Sequence, residues 1–318
     1  MSLDIHGGWA FDPLEGETDA ELIAVFNAFK AADPDGHRLA GLMRRTLDQL
    51  YDGQHTGRFS WDQLHKTERT HFGTLFEINL RREFDDVIDE GHKLDYRVAG
   101  VDVDCKFSQR LGGWMIPPEA FGHLLVVGFA DDKASEFAFG VVRASANYRR
   151  EAANRDAKVQ LSRDGRAAVR WLQRPGDLPP NVLLQCDDET ILAIFSQRSG
   201  QQRVNELLRR VTRQRIGRNI IATVAQQDDY MKRVRANGGA RSALASEGYI
   251  ILGGDYAAHR DVALALGVVA PEHGELVSVR VAPGLASEAN TVELDGQIWR
   301  SADEGEKSDV PAPRVPHR

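Results

Sequence analysis

The stretch Val101-Asp102-Val103-Asp104-Cys105-Lys106-Phe107 constrains the fold of this chain more than any other. Apolar residues at 101, 103, 105 and 107 alternate with Asp102, Asp104 and Lys106, and such alternation marks a strand with one covered face. On a strand, side chains two apart share a face and sit about 6.5–7 Å apart at the backbone. One carboxylate there can ligate a divalent cation while the neighbouring ammonium meets a substrate phosphate. Asp95 lies nine positions before Asp104, enough chain to reach an adjacent or bent strand and converge on the same point. A bare Asp-x-Lys also suits a salt-bridged strand edge, so the surrounding sequence has to decide.

Upstream, Thr70–Leu80 reads as an amphipathic helix with Phe72, Leu75, Phe76 and Leu80 on one stripe. Glu77 sits beside that stripe, where its carboxylate can run along the helix–sheet boundary. Alone it reads as a solvated residue, since Glu is seldom buried unpaired. With Asp95, Asp104 and Lys106 it completes a four-residue set. An acid, a spacer and Asp-x-Lys is the active-site pattern of the nuclease superfamily that includes most type II restriction enzymes.

Longer runs carry a more specific likeness. Thr46–Gln54, Trp61–Glu68, Val101–Ser108, Ile221–Asp229, Lys232–Arg235 and Gly238–Ser242 resemble the NaeI family of restriction endonucleases. The resemblance runs in order through most of the chain and weakens at both termini and in the middle. It implies Mg²⁺-dependent cleavage of duplex DNA and a second, allosteric DNA site. In that reading Asp95 and Asp104 hold Mg²⁺, Glu77 binds the ion or orients its water, and Lys106 positions the nucleophile and stabilises the pentacovalent state. Asp102 is a weaker candidate, further from the phosphate.

With 318 residues, 42% hydrophobic and 27% charged, the chain has room for two domains. Its net charge of −7 looks wrong for a DNA binder, yet Gln197–Arg241 carries 11 Lys/Arg against 3 Asp/Glu. That concentrated patch is the electrostatic footprint that matters for phosphate contact. Cys105 and Cys186 are too few for a disulfide framework. Met1–Pro13 has neither a basic start nor an apolar core, and no apolar run is long enough to span a bilayer. A cytoplasmic protein without membrane contact is expected.

The expected fold is α/β: a restriction-endonuclease-like core with a mixed sheet over residues 1–171, a linker at 172–180 and a winged helix-turn-helix domain at 181–300. Residues 301–318 are expected to be a disordered tail. In the core, Thr18–Glu21 resembles a capping box opening a helix with Leu22, Val25, Phe26 and Phe29 inward. Asp33–Gly36 forms a turn, a second helix carries Leu39, Leu42, Met43 and Leu50, and Leu124–Phe129 and Phe137–Val142 form strands. The linker assignment rests on Pro175, Pro179, Pro180 and Gly176.

In the second domain, Arg203–Arg213 is expected to be helical, with Val204, Leu207, Leu208 and Val211 inward and Arg209, Arg210 and Arg213 outside. Asp228–Arg235 suits the first helix of the motif, Asn237-Gly238-Gly239 its turn, Ala240–Ser246 a recognition helix and Gly248–Leu252 a wing strand. Candidate DNA contacts are Arg209, Arg210, Arg213, Lys232, Arg233, Arg235, Arg241 and Ser242. By resemblance, this region looks like the winged domain of the bacterial catabolite activator and binds the effector copy of the site.

Gln49–Gln54 resembles the ligase motif K-Y-D-G, but Leu50 replaces the nucleophilic lysine, so covalent nucleotide transfer is excluded. The segment reads instead as a helix end with an Asp-Gly turn. The expected activity is type II restriction cleavage of a GC-rich palindrome by a homodimer, with two copies of the DNA site bound and a cognate methyltransferase as genetic partner. A repair or nicking nuclease, or a regulator with an inactive core, are the alternatives. The intact Asp95, Asp104 and Lys106 disfavour the regulator, because a binder does not need them.

Overall fold

The computed structural model describes residues 14–316, so the expectation about Met1–Pro13 lies outside the described residues. The chain divides into two compact units, Met1–Leu50 with Leu64–Pro180, and Tyr51–Gln63 with Asn181–Arg318.

Helix α1 (Ala20–Ala32) is opened by Asp19, whose carboxylate accepts from the Leu22 N–H. The cap is therefore one residue later than a Thr18 capping box requires. Leu22, Val25, Phe26 and Phe29 are buried as expected. After the Asp33–Gly36 turn, α2 (His37–Tyr51) leads to the short α3 (Gly53–Thr56). Helix α4 (Lys66–Glu83) is longer than its apolar stripe, because the Glu68 carboxylate caps the His65 N–H at 2.8 Å and starts it early.

Strands β1 (Ile88–Glu90), β2 (Tyr96–Val98), β3 (Val101–Phe107), β4 (Leu124–Asp131), β5 (Glu136–Arg143) and β6 (Arg170–Asp177) form one sheet in that order. Only β3 and β4 run parallel; the other neighbours are antiparallel, so the sheet is mixed. A short helix α5 (Arg163–Ala167) precedes β6. On one face, Phe29 meets the Phe139 ring edge-on at 5.3 Å, and Phe72 and Phe76 of α4 meet Phe107 at 4.3 and 5.4 Å. A Cβ at Gly128 of β4 would lie 2.7 Å from the Phe76 ring and 3.3 Å from Met43, so glycine admits the helices there. On the other face Trp114, Ile116, Val159 and Leu161 cluster with Leu125, Val127 and Val142. With both faces covered, β4 and β5 read as apolar runs rather than alternating strands. Each large side chain so buried contributes roughly 1.5–3 kcal/mol.

The segment expected to be a linker, 172–180, lies largely in β6, where Gln173 pairs with Phe139 and Gly176 with Phe137. β6 is an edge strand, where Pro175 removes no ladder hydrogen bond on the open side. Proline content signalled an edge rather than a break.

The second unit holds α6 (Val182–Gln185), α7 (Asp188–Phe195), α8 (Gly200–Arg210), β7 (Arg215–Gly217), α9 (Arg218–Ala225), α10 (Ala240–Ala243), β8 (Tyr249–Gly253), α11 (Ala257–Ala265), β9 (Glu275–Pro283), β10 (Thr291–Leu294) and β11 (Gln297–Ser301). β9 pairs antiparallel with β8, β7 and β11, and β11 with β10. Val204, Leu207, Leu208, Ile220, Ile221, Val224 and Leu244 share one core.

Three expectations need correction in this unit. The helix read to Arg213 ends at Arg210, and Arg213 stands at φ 59°, off the helical face. Asp228–Arg235 forms only a 3₁₀ turn at Tyr230–Val234, and Ala240–Ser246 splits into α10 and a 3₁₀ turn from Ala245. The preceding full helix is α9. The strand expected at Gly248–Leu252 is present as β8.

Tyr51–Gln63, read as part of the first domain, folds with the second unit. α3 packs on α9 so closely that a Cβ at Gly53 would fall 2.0 Å from Thr223 Oγ1. Asn181 Nδ2 donates to Phe59 O, and Phe59 stacks on Phe195 at 5.7 Å. Asp52, at φ 48°, makes the turn that the Asp-Gly pair suggested. The tail is likewise docked: residues 302–316 contain no helix or strand, but Ala312 is buried and its N–H donates to Ala245 O. Its apolar Ala312 and Val315 join the cluster around Val279 and Trp299.

Candidate active site

Antiparallel pairing of β2 with β3 sets Tyr96 opposite Val103, which brings Asp95, just before β2, beside Asp104. Asp95 Oδ2 accepts from the Cys105 N–H at 2.8 Å, which fixes its carboxylate against β3. Two residues on from Asp104, Lys106 points to the same place: Nζ donates to Asp104 Oδ1 at 2.9 Å and to Cys105 O at 2.8 Å, and lies 3.8 Å from Asp95 Oδ2. Nζ is also 2.8 Å from Asp104 Oδ2, but without hydrogen-bond geometry. Oδ2 is therefore a buried carboxylate oxygen with no hydrogen-bond donor.

The electrostatics follow from this crowding. Burial, reinforced by the Asp95 carboxyl, pushes the Asp104 pKa well above the ordinary carboxylate range, and Lys106 only partly offsets the rise. Burial acts to lower the Lys106 pKa, but the Asp104 and Asp95 carboxylates outweigh it and hold the ammonium charged. Glu77 is also raised, first by burial and then by the Asp95 charge. Two acids that resist ionisation, Asp104 and Glu77, stand with Asp95 around one cation, a site short of positive charge.

Glu77 and Asp95 line one cleft of about 490 Å³ with Ile78, Arg81, Arg82, Asp85 and Tyr96. The buried Tyr96 hydroxyl donates to the Glu77 carbonyl at 2.6 Å, anchoring α4 over β2. Among the described residues no three His, Cys, Asp or Glu side chains form a ready-made metal cage. Asp95 and Asp104 converge, while Glu77 faces Asp95 from the helix. Asp102 accepts from the His92 N–H instead of joining the cluster. Sequence reading missed Tyr96 and the two arginines, although 77, 81 and 85 fall at one-turn spacing on the helix and just beyond it.

A buried carboxylate beside a second carboxylate fits a hard divalent cation, which takes oxygen ligands. Asp104 and Asp95 would hold it, and Glu77 shares a cleft with Asp95.

The basic residues of the second unit are mostly committed elsewhere. Arg209 makes two 2.8 Å bonds to Glu247 and a third to Glu206, and Arg210 bonds Glu206 at 2.7 Å. Lys232 and Arg233 both pair with Asp229. Arg213 donates to Ala302 O, Arg241 to Ile251 O, and Ser242 to Gly239 O. Burial lowers the Arg241 pKa, and Tyr256 and the Asp255 charge offset it only in part. Arg235 is exposed and, among the described residues, its side chain has neither an ion pair nor a hydrogen bond.

A mixed six-stranded sheet with Asp104 and Lys106 on β3 and Asp95 just before the neighbouring β2 defines a restriction-endonuclease-like core. The family model for restriction endonuclease NaeI matches residues 23–309. The type II restriction enzyme NaeI of Lentzea aerocolonigenes is 47% identical over 96% of this chain and 98% of its own length. The chain belongs to the NaeI restriction endonuclease family and is, by that membership, a site-specific deoxyribonuclease.

Proposed function

We propose that this enzyme hydrolyses both strands of duplex DNA at a GC-rich palindrome in the cytoplasm, using Mg²⁺ and acting as a homodimer. The observation that carries the reading is the buried Asp104 carboxylate, converging with Asp95 on the Lys106 ammonium. When bound, Mg²⁺ supplies Lewis-acid activation of water and charge neutralisation at the phosphate. Asp95 and Asp104 are the proposed ligands, and Glu77 the acid that completes the set from α4. Lys106, held protonated by its carboxylate neighbours, donates to a phosphoryl oxygen and stabilises the pentacovalent state. That charge state favours the stabilising role over proton abstraction. Homodimer symmetry and the GC-rich palindrome rest on the family resemblance, as does a cognate methyltransferase as genetic partner.

The second unit is proposed to be a winged helix-turn-helix module that binds a second, allosteric copy of the site. Its support is the order α8, β7, α9, the broken 230–247 segment, β8 and β9, with β7 returning to β9. In this alignment α9 takes the place assigned to Asp228–Arg235. Among the described residues no helix is long and apolar enough to cross a membrane.

Digestion of a mapped plasmid with and without Mg²⁺, followed by sequencing of the ends, tests the proposal. Discrete fragments with one shared end sequence support it. Scattered nicks would favour a repair nuclease, and DNA binding without cutting an inactive core.

A further inference from the structure

The cleft that Glu77 and Asp95 share also holds two arginines that the Asp-x-Lys pattern does not explain. Glu77, Ile78, Arg81 and Arg82 on α4, and Asp85 just beyond it, line that cleft, falling at i, i+1, i+4, i+5 and i+8. These spacings keep all five on one side of the helix line, one turn rising about 5.4 Å. Arg81 and Arg82 thus stand little more than one turn from Glu77, within side-chain reach of whatever the carboxylates face.

They differ from several paired arginines of the first unit. Arg38 and Arg45 are paired with Glu83, Arg44 with Asp48 and Asp132, Arg143 with Asp19 and Arg170 with Glu17. Arg81 has only a 3.7 Å approach to Glu90, which is 84% exposed. Such a surface pair contributes little. Among the described residues, Arg82 makes neither an ion pair nor a side-chain hydrogen bond, although Asp85 lines the same cleft.

A helix-end arginine can serve simply by meeting the last carbonyls and the helix dipole, worth roughly 0.3–1 kcal/mol. That role does not require the cleft. Placement beside Glu77 and Asp95, together with an uncommitted fork of donors, suits a phosphodiester oxyanion, which guanidinium meets bidentately.

We propose that Arg82, with Arg81 in support, clamps a backbone phosphate next to the scissile one and so positions the strand over Asp95, Asp104 and Lys106. The inference rests on the nuclease reading of this site. Arg82 is a positioning residue: it acts on the strand and takes no part in bond making.

The test compares wild type, Arg82→Gln, Arg82→Lys and the double variant Arg81→Gln/Arg82→Gln in full-length protein. Steady-state cleavage of a cognate duplex is measured across a salt series with Mg²⁺, and Tm in parallel. Loss of one phosphate contact removes about 0.9 from the slope of log affinity against log salt on B-DNA. Arg82→Gln should show that change and raise KM more than it lowers kcat, with the double variant lower still. Arg82→Lys should recover the salt slope but not the full KM, because it keeps the charge and loses the fork. A Tm change with an unaltered salt slope and KM overturns the clamp in favour of a helix-end role. No cutting by the wild type would sink the nuclease reading and the clamp with it, whereas cutting by the wild type with an indifferent Arg82→Gln sinks the clamp alone.

Discussion

The cleft of the first unit and the basic segment of the second treat their charged residues differently. In the first, Asp104 keeps a buried oxygen without a donor, Glu77 and Asp104 resist ionisation, and Arg82 faces the cleft uncommitted. In the second, Arg209, Arg210 and Lys232 have each found a carboxylate of their own chain, and Arg233 pairs with Asp229 while its Nε stays buried without a hydrogen bond. A charged group that folding satisfies has little left for a ligand. One that folding leaves strained or free is waiting for something else, which is why perturbed titration clusters at functional sites. The comparison makes a rule that can be broken: unsatisfied residues should control DNA chemistry, and satisfied ones should control stability.

The largest effect is expected at the least satisfied residue. Asp104→Asn, and separately Lys106→Ala, should lower cleavage by roughly 10²–10³-fold or more, since each removes a group acting mainly in the transition state. Asp104→Asn should also stabilise the metal-free fold. Ionising Asp104 is disfavoured in the folded chain, whose pKa there is pushed up to about 7. The stability it contributes is present at low pH and is lost as pH rises from the carboxylate range through that value. Relative to wild type, the Asn variant should therefore gain on the order of 1 kcal/mol at about pH 8 in chelator, with the gain shrinking towards about pH 4. Thermal melts across pH check this. A variant less stable than wild type at high pH would show that Asp104 is a structural ion-pair partner of Lys106.

Next comes the coupling between sites. If the second unit binds an effector duplex, adding a short uncleavable cognate duplex should speed cutting of a poorly cut site by about 5–150-fold, a coupling of roughly 1–3 kcal/mol. Among the described residues the Arg235 side chain has neither an ion pair nor a hydrogen bond, so Arg235→Ala should erase most of this stimulation. Arg233→Ala should weaken it less, because Arg233 is already held by Asp229. Equal loss from both variants would break the rule.

Much of this was legible before any coordinates. Alternation at 101–107 gave β3, and the stripe through Phe72, Phe76 and Leu80 gave α4, because each is a local periodicity set by which face is covered. Asp95, Asp104 and Lys106 converge because a short antiparallel return puts 95 opposite 104. What failed was non-local. Proline marked 172–180 as a break when it marks an edge strand, since edge and linker both leave an N–H unneeded. Nothing at 51–63 announces that Gly53 will lie against Thr223, 170 positions away. The docked tail was misread for the same reason: Ala312 and Val315 look incidental in a proline-rich stretch until a core is there to receive them. The DNA face expected at the arginines of α8 rests on the basic window and the family resemblance, and takes no account of their partners Glu206 and Glu247, which are also in the sequence.

The smallest effect is expected at Arg209, the most satisfied of the proposed DNA contacts. Its two bonds to Glu247 tie α8 to the turn before β8, and Glu206 adds a third partner. Hydrogen bonding to Glu247 raises the Arg209 pKa, while the same bonding holds Glu247 below the ordinary carboxylate range. Both side chains are about one-third exposed, at 34% and 39%, so solvent screening discounts the pair. Arg209→Ala should cost about 1 kcal/mol or less, a Tm fall of about 2 °C. Glu247→Ala should cost a similar amount, and the double variant less than the sum, because the partners share one interaction. DNA affinity should keep its wild-type salt slope in Arg209→Ala, whereas Arg235→Ala should lose about 0.9. If Arg209→Ala instead flattened the slope with no change in Tm, a paired arginine would be exchanging its carboxylate for phosphate on binding. Satisfaction within the chain would then be no guide to which residues of the second unit meet DNA.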